Sequence, residues 1–268
     1  MAVGLLLFVS LLDTAVARAM AGKPGVAVVA RVSDGRLLAA YHLNLARTRA
    51  AFPGSTLKPF TMKAWIETHP GAAAPSLVCP RHLRISGRDF DCIHPEGGVP
   101  LDPPTALAYS CNAYFAHLAL ELKPDGFAQS LRRIAKSVSI AATPAELQLQ
   151  AIGEWGISMT PLELLTAYRR LALEFDNPAL APVFAGLAGA VEYGSGQPAA
   201  IPGLRVAGKT GTGIGHAWFA GFAQSPGASK PEIVVVVFLE GGRGGTDAAP
   251  IAREIFATWE RAAREHSR

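Results

Sequence analysis

Three short runs in this sequence hold side chains that, brought together, would do acyl-transfer chemistry. The first is Ser55-Thr56-Leu57-Lys58, an S-x-x-K at the expected start of a helix. Residues i and i+3 share a helix face, so a lysine amine there can reach the serine hydroxyl. A helix N-terminus adds free N–H groups where an oxyanion would form. To accept a proton the amine must be neutral, so burial and neighbouring cations have to depress it from its usual value near ~10.4. The second run is Ser110-Cys111-Asn112, which offers a hydroxyl for proton relay and a carboxamide for a substrate amide. The third is Lys209-Thr210-Gly211-Thr212, following a β-type run. In a strand Lys209 and Gly211 point to one face, and the glycine lets a ligand backbone lie close. Taken singly, each run reads equally well as ordinary structure: a capping serine with a solvated lysine, a loop, a glycine-containing strand end.

Other chemistry-bearing residues are scattered. Cys79 and Cys92 lie within CPRHLRISGRDFDCIH and would close a small disulfide loop in an oxidising compartment. The same stretch holds His82 and His94, but C-x2-H paired with C-x-H is not a familiar zinc spacing, and no metal or cofactor is expected. Cys111 reads as a buried small hydrophobe. Trp155 and Trp218 read as core aromatics rather than cleft-lining ones, His216 equally as a groove or a turn residue after the K-T-G run, and Gly241 to Gly245 as a loop without the spacing of a phosphate-binding motif.

The elements that must position these groups follow from periodicity. Gly25 to His42 reads as a β-hairpin around Ser33-Asp34-Gly35, and a helix is expected from Ser55 to Glu67. Residues 71–104 read as loops, Thr105 to Leu122 as a helix, and about 127–190 as further helices, with Thr160 the N-cap and Pro161 the first residue of one ending at Leu173. LRVAGKTGT, HAWFAGFA and EIVVVVFLE read as strands, and Ala249 to His266 as an amphipathic helix. The fold class expected is α+β: an antiparallel sheet formed from N- and C-terminal segments flanked by helices, with an inserted, mainly helical subdomain. One domain is expected over 20–268, its sheet part at 20–58 and about 195–268 and its helical part at about 59–194. Half of the 268 residues are hydrophobic, 17% are charged and the net charge is +4 with no long basic run, which excludes a disordered chain and gives no support to nucleic-acid binding.

The three runs in this order, with PGSTLKPF, AYSCNAYFAHLAL, GISMTPLELLTAYRRLA, GLRVAGKTGT and GGRGGTDAAPIAREI around them, resemble the transpeptidase domain of a penicillin-binding protein. The resemblance covers roughly residues 25–262. It implies a serine acyltransferase acting on the D-Ala-D-Ala end of peptidoglycan stem peptides, as D,D-transpeptidase or carboxypeptidase, and acylated by penicillin. Ser55 would be the nucleophile, Lys58 the general base, and Ser110 the relay to the leaving group with help from Lys209. Asn112 would bind a side-on amide, and Thr210, Gly211 and Thr212 with Lys209 would hold the substrate near its carboxylate. The backbone N–H groups of Ser55 and Thr212 would form the oxyanion hole. Stem peptides, β-lactams and other cell-wall synthesis proteins are the implied partners. Two rival readings are a serine β-lactamase, for which Glu146, Glu154, Glu163, Glu174 and Glu192 are candidate deacylation bases without the expected E-x-x-L-N pattern, and a non-catalytic β-lactam or peptidoglycan sensor.

The apolar run Met1 to Leu12, followed by Ala17-Arg18-Ala19, reads as a signal peptide over 1–19, which places the chain outside the cytoplasm. A first helix packed on the domain and a truncated membrane anchor are the competing readings. Twelve apolar residues are too few to span a bilayer, which takes roughly 20.

Overall fold

A computed structural model describes residues 2–95 and 98–266, with side chains from 11 to 95 and from 98 to 264. Its centre is a five-stranded antiparallel sheet of β1 (Gly25–Arg31), β2 (Leu37–Tyr41), β3 (Arg205–Gly213), β4 (His216–Gln224) and β5 (Ile233–Glu240), in the order β2-β1-β5-β4-β3. The segments expected to build the sheet do so, and the architecture is α+β as expected. β4 and all of β5 except Glu240 are buried on both faces, which is why IVVVVFLE reads as a continuous apolar run rather than an alternating one. β3, carrying Lys209, is an edge strand.

Each face of the sheet has its own core. Val26, Val28 and Ala30 with Trp218, Ala220, Val234 and Val236 pack toward the inserted helices. Ala27, Val29, Phe219, Val235 and Val237 pack against the two terminal helices, α1 (Ala2–Ala19) and the C-terminal Ala249–His266. Most of the run Met1 to Leu12 lies outside the described side chains. From residue 11 onward α1 presents Leu12, Val16 and Ala19 to this second core, with Met20 just beyond it, all four buried. No helix among the described residues is long and apolar enough to cross a membrane.

Two expected helices differ in detail. The one expected from Ser55 begins as a 3-10 turn, Gly54–Leu57, and becomes α-helical at α2 (Lys58–Thr68). Pro59 explains the change, because without an N–H it cannot make the i→i−4 bond back to Ser55 and so must stand in the first turn. The helix expected over Thr105 to Leu122 is two, α3 (Pro103–Ala108) and α4 (Asn112–Ala119), broken at Ser110 by a left-handed backbone, φ 60°. α5 (Pro161–Leu173) has the expected Thr160 cap, completed by Glu163 into a reciprocal capping box.

Candidate active site

The nucleophile turn is held from three sides. Before it, the Phe52 carbonyl accepts from Trp218 Nε1 (3.0 Å) and lies 2.8 Å from His216 Nε2. Trp218 is therefore a core aromatic with its polar edge spent on this turn, and His216, expected in a groove or a turn, opens β4. Within it, Gly54 takes φ 52° and donates to Gly153 O at 3.0 Å, while Thr56 Oγ1 donates to Pro53 O at 2.6 Å. After it, buried Tyr168 of α5 donates from its hydroxyl to Thr56 O at 2.9 Å. Ser55 is left half-buried, and among the described residues its hydroxyl has no hydrogen-bond partner. In a 3-10 turn residues i and i+3 eclipse, so Ser55 and Lys58 stay on one side although the segment is not α-helical.

Lys58 is completely buried and uses all three N–H bonds. Nζ donates to Ser110 O (2.7 Å), to Asn112 Oδ1 (2.6 Å) and, at 3.2 Å, to Ser110 Oγ. The left-handed Ser110 turns its carbonyl and hydroxyl toward the same amine; a residue there with ordinary φ would continue the helix and face away. Burial pushes Lys58 down to about 8, against a weaker opposing pull from Cys111, Cys92 and Glu154. Asn112 Nδ2 donates to Phe90 O at 3.1 Å, which fixes which way its carboxamide points.

Lys209 is also completely buried, with Nζ 3.1 Å from its own Thr210 O and 3.5 Å from Ser195 Oγ. Burial first, and the charge of Lys58 second, hold it well below the usual lysine range. Thr210 Oγ1 donates to Ser195 Oγ at 2.9 Å, and Thr212 Oγ1 accepts from Gly244 N at 3.0 Å. Gly211 is where the edge strand meets the nucleophile turn: a Cβ there would lie 2.8 Å from Pro53 O and 3.0 Å from Thr56 Cγ2. The Thr212 backbone O and N lie 3.3 and 3.6 Å from where a Cβ on Gly54 would sit, so Thr212 abuts the turn just before Ser55.

Ser110 and Asn112 are thus both bonded to Lys58, Gly211 and Thr212 abut the turn bearing Ser55, and Lys209 is near enough to Lys58 to feel its charge. Sequence reasoning missed Ser195. It joins the two lobes, taking both K-T-G side chains on its hydroxyl while its N–H donates to Ala108 O (3.2 Å), two residues before Ser110. EYGSGQP has no motif that signals this. Of the glutamates weighed as deacylation bases, Glu163 is spent in its capping box, Glu146 on Ala142 N and Glu174 on Lys63. Glu154 approaches Gly54 but is ion-paired with Arg88 at 3.0 Å. The three cysteines are free thiols, without the expected Cys79–Cys92 bridge.

A model of the penicillin binding protein transpeptidase domain matches residues 12–257. The peptidoglycan D,D-transpeptidase PbpA of Mycobacterium tuberculosis is 25% identical over 277 residues, covering 76% of this chain and 54% of that protein. Penicillin-binding protein 3 of Bacillus subtilis is 26% identical over 260 residues, covering 72% of this chain and 37% of that one. The chain spans about half the length of the curated PbpA relatives it matches. The transpeptidase domain of penicillin-binding protein 3 from Burkholderia pseudomallei superposes with a TM-score of 0.77 at 22% identity, covering 98% of this chain and 95% of that chain. An imipenem acyl-enzyme of penicillin-binding protein A from M. tuberculosis superposes at 0.75 with 21% identity, covering 92% and 78%. The match over nearly all of the sequence, on a sheet whose edge strand meets an S-x-x-K turn, means that this chain belongs to the penicillin-binding protein transpeptidase domain family.

Proposed function

We propose that the chain is a serine acyltransferase for the D-Ala-D-Ala end of peptidoglycan stem peptides, acting outside the cytoplasm and acylated by β-lactams at Ser55. The observation that carries this reading is the buried Lys58, poised near neutrality and bonded to both functional groups of the S-x-N run. Neutral Lys58 takes the Ser55 hydroxyl proton as Oγ attacks the carbonyl between the two D-alanines. Ser110 Oγ, 3.2 Å from Nζ, then passes that proton to the departing amine nitrogen. The N–H groups of Ser55 and Thr212 hold the oxyanion, and Lys209 with Thr210 and Thr212 holds the terminal carboxylate. Asn112 binds the substrate amide, and Gly211 lets its backbone lie along the edge of β3. An amine acceptor then gives a cross-link, and water gives carboxypeptidase activity.

Export is supported by the kinship with cell-wall transpeptidases. A leader cut after Ala19 would strip Leu12, Val16 and Ala19 from the sheet, so the leader reading and the packed-helix reading make opposite forecasts about chain stability. Intact-mass spectrometry after incubation with penicillin tests the assignment. One adduct is expected on the parent and none on Ser55→Ala, and an adduct on the variant would remove Ser55 from its role. D-alanine release from a stem-pentapeptide mimic separates the enzyme from a sensor. Multiple-turnover nitrocefin hydrolysis would instead mark a β-lactamase.

A further inference from the structure

Beside the S-x-N turn lies a cluster the acyl-transfer chemistry does not use. Cys79, Cys92, His94 and Cys111 place one ligand atom each within 4.8 Å of all the others, and all four residues are buried. Cys92 Sγ and Cys111 Sγ are 3.8 Å apart. The edge of a tetrahedron with Zn–S bonds of about 2.3 Å is about 3.8 Å. His94 is 4% exposed, stacks on Tyr109, and has no hydrogen-bond partner on either ring nitrogen. A buried imidazole with both nitrogens unanswered calls for a ligand. The thiols are already solvated as thiolates would be: Arg81 N donates to Cys79 Sγ, and Tyr114 N, in the first turn of α4, donates to Cys111 Sγ, both at 3.4 Å.

We propose that Cys79, Cys92, His94 and Cys111 form a tetrahedral site for a thiophilic divalent cation of the zinc class, tying the 79–94 segment to the S-x-N turn. Three thiolates and one neutral imidazole complete a closed coordination shell, with the thiol protons released to solvent on binding. A disulfide accounts for less, because it would join two of three cysteines and leave the third thiol and His94 unanswered. His82, the other histidine of the stretch, is 90% exposed and faces Asp91; Cys111, from a distant part of the chain, supplies the fourth ligand, and the expectation of no metal is revised by that tertiary grouping. The consequence reaches the active site, since Cys111 stands between Ser110 and Asn112, and Asn112 is itself held by Phe90 from the same segment.

The test is metal analysis of the full chain purified with zinc present and without chelator. One zinc per chain is expected by inductively coupled plasma mass spectrometry, retained in His82→Ala and lost in Cys92→Ser and His94→Ala. Should those two variants fail to fold, Co(II) exchange into the parent keeps the question open to measurement. Thiolate-to-cobalt charge transfer with a tetrahedral d–d pattern is expected, as is protection of all three thiols from iodoacetamide until chelator is added. A metal-free parent, with either three freely alkylated thiols or the two-dalton mass deficit of a disulfide, would overturn the proposal.

Discussion

Substituting Asn112→Asp should move the pH at which acylation switches on, and by an amount the structure fixes in sign. With Lys58 at about 8, about one molecule in ten carries the neutral amine at pH 7, whereas an ordinary lysine at ~10.4 would offer about one in 2,500. The parent should therefore show an acylation rate rising tenfold per pH unit below a midpoint near 8, then a plateau. Asn112 Oδ1 accepts from Nζ at 2.6 Å, so an aspartate there would set a full negative charge against a buried ammonium. An opposite charge at such range typically moves a pKa by about 1–3 units. The midpoint should rise by that amount, and the rate at pH 7 should fall roughly 10- to 1,000-fold while the high-pH plateau falls far less. Asn112→Leu keeps the volume and removes the acceptor, costing the ammonium a charge-assisted bond of about 1.5–3 kcal/mol, so its midpoint should fall by about 1–2 units. Stopped-flow acylation with a fluorescent penicillin from pH 5.5 to 10 locates the parent and Asn112→Leu midpoints, and shows the Asn112→Asp shift as a rate still rising with pH where the parent has reached its plateau. A parent rate flat across that range, or two variants shifting in the same direction, would refute the assignment of Lys58 as the base.

Gly211→Ala should cripple acylation without unfolding the chain. Its Cβ would lie 2.8 Å from a backbone carbonyl that cannot swing away, so the turn bearing Ser55 must move, and a displacement of that kind costs on the order of 100-fold in rate. A second-order acylation constant equal to the parent's would show that the strand and turn do not meet as described. Beginning the chain at Met20 should destabilise it by roughly 3–6 kcal/mol, since Leu12 and Val16 each bury a side chain worth about 1.5–3 kcal/mol. Chemical denaturation of the two forms measures this, and equal stabilities would favour a removable leader.

How far the sequence announces this molecule depends on the range of the interaction that decides each feature. The Thr160-Pro161-Glu163 start of α5 is legible because cap, proline and box partner lie within four residues. IVVVVFLE is legible as a central strand because burial on both faces leaves it uniformly apolar. The three motifs are legible as types, but not the reason they work. Ser110 has no local signal for its left-handed backbone, which the Lys58 contact and the packing of α3 and α4 impose from outside. Ser55 sits in a 3-10 turn because of a proline four residues on, an effect that helical periodicity does not register. Ser195 and the grouping of Cys111 with Cys79, Cys92 and His94 depend wholly on which loops the tertiary fold juxtaposes.

The two buried lysines divide the charge of the site, and this division should be measurable as a proton. Lys209 has burial and the neighbouring Lys58 ammonium both acting against its charge, and the oxygens near it, Ser195 Oγ and Thr210 O, are neutral. In the free protein both influences favour its neutral amine. A carboxylate arriving beside Thr210 and Thr212 reverses the balance, since an opposite charge at contact favours the ammonium and relieves the cost of burial. Ligand binding should accordingly be accompanied by proton uptake at Lys209, the direction that burial and the Lys58 charge both favour. Calorimetric titration of penicillin into Ser55→Ala, which binds without acylation, reports that uptake as the slope of binding enthalpy against buffer ionisation enthalpy. Lys209→Arg keeps its charge throughout and should bind with less uptake. A slope of zero in the Lys209 form would mean that Lys209 is already charged before the ligand arrives, and the repulsion between the two lysines would then have to be relieved at Lys58.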